Sequence, residues 1–159
     1  TSTSIAAGPS GGTLSTNQTR YWSPTGGTPA TAESTEANAR IKFRGTGTIS
    51  KLAVGASANS SNQTTTFTAR KNAADQSPTC TIAASTTGFG SDNSNSFTYA
   101  DGDLLAVKGV RASGGTGTIT PAWFVCELAP DVESIGGGGG TFTPYYNLLL
   151  QNLGSGFNV

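Results

Sequence analysis

From residue 39 onward, apolar and polar residues alternate in short runs separated by glycine, serine and asparagine. ARIKFRG sets Ile41 and Phe43 against Arg40, Lys42 and Arg44, the period-two pattern of a half-buried strand. GTISKLAVGA predicts a second strand with Ile49, Leu52 and Val54 as its apolar set. QTTTFTARKN predicts a third, with Phe67 and Ala69 on one face and Thr66, Thr68 and Arg70 on the other. KNAADQS is short and polar and reads as a turn. PTCTIAAS then places Cys80 and Ile82 on one face, and NSFTYA and GDLLAVKGV flank the compact turn Asp101-Gly102-Asp103. The last run, GTITPAWFVCEL, is apolar almost without a break from Ala122 to Leu128, which predicts burial on both faces. GASANSSNQT, STTGFGSDNSNS and RASGGTGT fall between these runs and read as loops. Seven or eight short strands with regular polar breaks predict an all-β domain, an antiparallel sandwich or barrel, over residues 39–130. Its expected inward set is Ile41, Phe43, Ile49, Leu52, Phe67, Ile82, Leu105, Val107, Trp123 and Val125.

The flanks follow other patterns. Residues 1–38 hold three of the seven prolines and many glycines, and read as an extended N-terminal arm. STEANARI predicts one helical turn capped by Ser34. Tyr21 and Trp22 are too apolar for a solvated arm, so they are expected to rest on either the domain or a neighbour. Residues 131–140 form an acidic and glycine-rich linker ending in five consecutive glycines, 136–140. Beyond it, residues 141–159 carry Phe142, Tyr145, Tyr146, Leu148, Leu149, Leu150, Leu153 and Phe157, more apolar surface than a soluble monomer leaves in water. This pattern predicts a docking tail. Tyr21, Trp22 and these eight residues are therefore the candidate partner-binding set. Strand addition to a neighbouring sheet edge and a short helix through YYNLLLQNL are the two modes open to the tail, the second favoured by Pro144 at its start.

Composition narrows the function. Charged residues make up 11% of the 159-residue chain, while serine and threonine number 43, so solubility rests on hydroxyls and glycine, as on β-rich extracellular or virion surfaces. The formal net charge is zero, which denies the basic face a duplex nucleic-acid partner needs. No apolar run approaches the length of a membrane helix, so no membrane partner is expected. TSTSIAAGPSGG has no basic segment ahead of a long apolar one, and no signal peptide is expected within it. Histidine is absent, which removes Ser-His-Asp and Cys-His catalysis and the commonest metal ligand. Asp101 and Asp103 fit turn capping better than a calcium site, which needs six to eight oxygens, or a catalytic pair. The GTGT and GGTGT stretches lack the following helix of a phosphate loop. Cys80 and Cys126 read as buried thiols, with a disulfide as the alternative. Arg40, Lys42 and Arg44 point one way along their strand, onto either a solvated face or a subunit interface with Glu33, Glu36, Asp131 or Glu133. No enzyme activity, cofactor or metal is expected.

Two stretches carry a resemblance. TFTARKNAADQSPTCTIAAS contributes Thr66, Phe67, Thr68, Arg70, Lys71 and Asn72, then Thr79, Thr81 and Ile82. SDNSNSFTYADGDLLAVKGV contributes Ser91, Asp92 and Asn93, then Asp101, Gly102, Asp103, Leu104 and Leu105. This pattern resembles a group of small phage and bacterial surface proteins with a tumour-necrosis-factor-like jelly-roll domain. The chain departs from it at Ala73, where glycine is usual. The resemblance covers about residues 40–129 and implies a jelly-roll sandwich, frequently trimeric, in virion decorations, fibres or tail tips. On it rests the expectation of a bacteriophage structural protein at the virion surface, a capsid decoration or cement protein that binds the major capsid protein or another virion protein through arm and tail. A tail-fibre or tail-tip component is the alternative within that class. A carbohydrate- or receptor-binding module, or an extracellular filament subunit joined by strand donation, is the alternative outside it. In the second class, Phe89 in TTGFGSDN is a loop aromatic able to stack on a sugar ring.

Overall fold

The computed structural model describes residues 3–7, 12–24 and 32–131. Nine strands follow in chain order: β1 Thr3–Ala7, β2 Thr19–Trp22, β3 Ile41–Lys42, β4 Gly47–Asn59, β5 Thr65–Lys71, β6 Ala74–Ile82, β7 Phe89–Tyr99, β8 Leu104–Arg111 and β9 Ile119–Pro130. The first sheet runs β1-β9-β4-β7 and the second β2-β8-β5-β6, with β3 also paired to β8. All pairs are antiparallel, and four of them nest: β5 with β6 innermost, then β4 with β7, β2 with β8, and β1 with β9 outermost. The pairs β4 with β9 and β5 with β8 join these into the two sheets. A long hairpin folded over on itself in this way is a jelly-roll sandwich.

The core lies between the sheets. Trp22, Phe67 and Phe124, one from β2, one from β5 and one from β9, form a triangle with ring centroids 5.8–6.1 Å apart. Leu14, Leu52, Val54, Ile82 and Ile119 close around it. The triangle needs a gap in the second sheet. Gly109 of β8 supplies it, since a Cβ there would stand 2.6 Å from the Trp22 ring. A second cluster of Ile49, Tyr99 and Leu105 lies toward the other end, with Phe43 edge-on to Tyr99 at 5.1 Å. Between the clusters is a small apolar cavity of about 30 Å³, lined in part by Phe43, Leu52, Phe97 and Cys126. That is room for about one or two waters and too little for an organic ligand.

Several expectations from the sequence need correction. The arm is not separate from the sandwich: β1 adds an edge to the first sheet, β2 joins the second, and Leu14 bridges to Ile119. The run GFGSDNSNS is not a loop but most of β7, whose register shift sets residues 93–95 against Lys51 alone. The turn in KNAADQS is only Asn72-Ala73, because Ala74 already pairs with Lys71. Ser34 does not cap the short 3-10 turn Glu36–Asn38, which follows Thr35 and has no side-chain cap. Trp123 is not inward. Phe124 takes the core position, and Val125 is only half-buried. β9 begins with Ile119 and Pro121 facing in, then changes phase at Ala122, where its pairing with β4 slips between Gly55 and Ala56. The outer face of β9 is therefore not buried.

The hairpin at Asn72-Ala73 places both residues in the left-handed region, at φ 50° and 67°. Two such residues make the tight turn whose twist matches the flanking strands. Asparagine tolerates this conformation, whereas alanine carries a Cβ penalty of roughly 1–2 kcal/mol. Ala73→Gly relieves that strain, and part of the gain is offset by the greater freedom of glycine in the unfolded chain. The expected net stabilisation is about 0.5–1 kcal/mol in urea denaturation, with an unchanged m-value. A loss of stability would show that the turn is not held in this form.

Candidate functional site

The residues that carry the family resemblance are tied to one another. At one end of the sandwich, the Asn72 amide donates to Asp103 Oδ1 at 2.7 Å, and its Oδ1 accepts the Leu104 N–H at 2.9 Å. Asp103 also accepts the Ala100 N–H at 2.8 Å, and Asp101 accepts the Gly45 N–H at 2.9 Å. The Ala100 N–H and then the Asn72 amide hold the Asp103 carboxyl below its ordinary range. Asp103 thus caps its own turn through the Ala100 N–H, whereas Asp101 accepts from the distant Gly45 and not from its own turn.

On the outer face of the second sheet, Arg70 donates to Glu36 at 2.6 Å and pairs with Asp75, which also pairs with Lys108. The hydrogen bond to Glu36 raises the Arg70 pKa, burial opposes it, and Asp75 reinforces it. Burial pushes Asp75 up, but the Lys108 ammonium and the Arg70 guanidinium together outweigh it and hold the carboxyl low. The expected basic stripe is also resolved: Arg40 meets Glu36 at 3.5 Å and Arg44 meets Asp101 at 3.1 Å, while Lys42 is exposed. Both arginine partners are acids of the same chain. Arg111, 2% exposed, instead donates to the loop carbonyls of Thr116 and Gly117.

The predicted partner-binding residues divide sharply. Trp22 lies in the core, 2% exposed. Tyr21 sits on the outer face of the second sheet, under the Arg70 guanidinium at 5.9 Å from its ring centroid, and its backbone bridges to Glu33. Both therefore rest on their own domain. Phe142, Tyr145, Tyr146, Leu148, Leu149, Leu150, Leu153 and Phe157 lie outside the described residues.

Both cysteines are free. Burial pushes the Cys80 thiol up to about 12 and the Cys126 thiol up to about 11, which keeps both protonated and unreactive at neutral pH. Among the described residues, no group of three or more His, Cys, Asp or Glu is placed to hold a metal ion, and no helix is long and apolar enough to cross a membrane.

What the sequence missed is an aromatic pair on the outer face of the first sheet. Phe89 and Trp123 are the exposed large hydrophobics among the described residues, with ring centroids 6.4 Å apart. Pro121 is the signal that could have found it. Proline inside a central strand marks a bulge, and a bulge reverses which residues face outward.

Asp92 is the most heavily bonded carboxylate of the described residues. It accepts N–H groups from Thr79, Ser94 and Asn95 and the Asn95 side-chain amide, pinning the β7 bulge to β6. The Thr79 N–H first, then the Asn95 amide, lower its pKa from 3.8 to about 2. A depressed pKa means that folding favours the charged form. The stabilisation is therefore full above the ordinary carboxylate range and is lost as pH falls from about 4 through about 2. Asp92→Ala should lower the melting temperature at pH 7 by about 2–8 °C and flatten the stability profile between about pH 4 and about pH 2. Calorimetry across that range checks it. An unchanged acid limb would mean that Asp92 does not hold the bulge.

Compared with protein-family models, with curated proteins and with solved structures, the chain shows no match to any.

Proposed function

We propose that this chain is a non-catalytic structural protein of a bacteriophage, a jelly-roll module that decorates or cements the capsid shell at the virion surface. The observation that carries this reading is the composition of the tail: Phe142, Tyr145, Tyr146, Leu148, Leu149, Leu150, Leu153 and Phe157 follow five consecutive glycines. A chain that solubilises itself with hydroxyls has a use for such a segment if it docks on the major capsid protein or another virion protein. The resemblance of residues 66–105 to phage surface jelly rolls supports the same reading. A place in a tail fibre or tail tip would use the same construction, and the particle that carries the chain distinguishes the two.

The test is attachment to particles stripped of this protein. Deleting residues 141–159 should leave the sandwich folded, because the glycines decouple it from the tail, and should abolish attachment. Changing Tyr145, Tyr146 and Leu149 together to Ser should weaken attachment by at least about thirtyfold, since buried anchors each contribute about 2 kcal/mol or more. Salt should matter little, because residues 134–159 carry no charged side chain. Attachment of the truncated chain as tight as that of the intact chain refutes the docking role.

The low surface charge leaves broad neutral faces, and we propose a trimer, as is frequent among the jelly rolls that the chain resembles. Light scattering on the isolated protein should report about three chains. A monomer at micromolar concentration would overturn this.

A further inference from the structure

Phe89 is 69% exposed and Trp123 is 36% exposed, the exposed large hydrophobics of the described residues. They are exposed together, not separately. Gly55 of β4 pairs with Phe89 of β7 on one side and with Trp123 of β9 on the other. Residues paired across strands share a face, so the three form one row on the outside of the first sheet. Gly55 is the floor of the row. A Cβ there would stand 2.1–2.4 Å from three atoms of the indole, so the ring lies over the bare backbone with its other face outward. The two rings are inclined by 36°, close enough to parallel to make a shallow platform.

Among the described residues, hydroxyls flank the row on this face, beside half-buried Ala53 and Val125 of the next row. Ser91 and Thr87 beside Phe89 are exposed, as is Ser57, whose hydroxyl donates to the Thr120 carbonyl at 3.3 Å. Among the described residues, the charges on this face are Lys51 and Glu127, paired with each other at 2.8 Å. Lys51 is four residues from Gly55, about 13 Å along the strand.

We propose that the Phe89–Gly55–Trp123 row is a binding site for a neutral carbohydrate, with a sugar ring stacked over the indole and the phenyl. The negative face of an aromatic ring attracts the weakly positive C–H edges of a sugar, and the flanking hydroxyls match its own. The size of the patch argues against a protein partner. The two rings, fully covered, supply at most about 150–250 Å² each, well short of the roughly 1,000 Å² of a stable protein interface. A nucleic acid would need unpaired basic side chains beside the rings. The proposal does not depend on the chain belonging to a particle.

The test is isothermal titration of the full chain with maltohexaose, cellohexaose and chitohexaose, beside polygalacturonate as a charged control. At least one neutral hexaose should bind and quench tryptophan fluorescence, which reports Trp123 because Trp22 is buried. Trp123→Ala and Phe89→Ala should each weaken binding at least tenfold without changing the far-ultraviolet circular dichroism. No heat with any of the three hexaoses at millimolar concentration overturns the proposal, as does binding that survives both substitutions. A variant that instead loses oligomer mass makes the row a protein contact and also overturns it. Failure here leaves particle attachment through the tail untouched, so the two readings fail separately.

Discussion

The contact on which the sandwich depends is the triangle of Trp22, Phe67 and Phe124. Each ring comes from a different strand, and Phe124 belongs to the sheet opposite the other two. Leu14, Leu52, Val54, Ile82 and Ile119 pack around the triangle, and Ile49, Tyr99 and Leu105 join the sheets in a second cluster. Large aromatic side chains supply the necessary buried area in few positions. The triangle also explains why residues 12–24 cannot be detached from the fold. Trp22 fills the space above Gly109, and Leu14 lies against Ile119. The segment that looks like an arm in one dimension completes the core in three.

Around that centre, the polar residues do structural work at the ends of strands. Asn72 links the β5–β6 turn to the β7–β8 turn, and Asp92 links the bulge of β7 to β6. Arg70 gathers Glu36 and Asp75, and so ties the segment after β2 to the second sheet. The recognisable residues of the central stretch, RKN, SDN and DGD, are thus those that satisfy backbone donors or acids where regular pairing stops. A pattern of this kind reports architecture, which is why it points to a fold more directly than to a chemistry.

The strands were legible where one face is dry and the other wet. Phe67, Ile82, Leu105 and Val107 follow the alternation and are buried. Ile49 and Leu52 are both buried, as expected, because Lys51, at φ 56°, shifts β4 by one residue between them. Legibility ended at the phase break at Ala122 of β9, where a continuous apolar run hides the shift and Trp123 and Phe124 exchange roles. The first half of β7 was missed for another reason: an edge segment exposed along most of its length shows little alternation, yet its backbone pairs with β4 regardless. Phe89 was visible as a lone aromatic. Its partnership with Trp123 exists only through register, which a sequence does not display.

The nested pairing also constrains how the chain is made. Thr3 pairs with Leu128, 125 residues later (128 minus 3). A ribosome takes about 6–25 s to cover that distance. Throughout that interval β1 and β4 lack the strand that separates them in the finished sheet, and Trp22 and Phe67 lack the Phe124 ring. Only the innermost hairpin, β5 with β6, finds its partner at once. Assembly therefore proceeds outward from that hairpin and ends with the sheet holding β9, a topology of non-local contacts that folds slowly. Until the last strand arrives, the nascent chain presents open sheet edges to its neighbours.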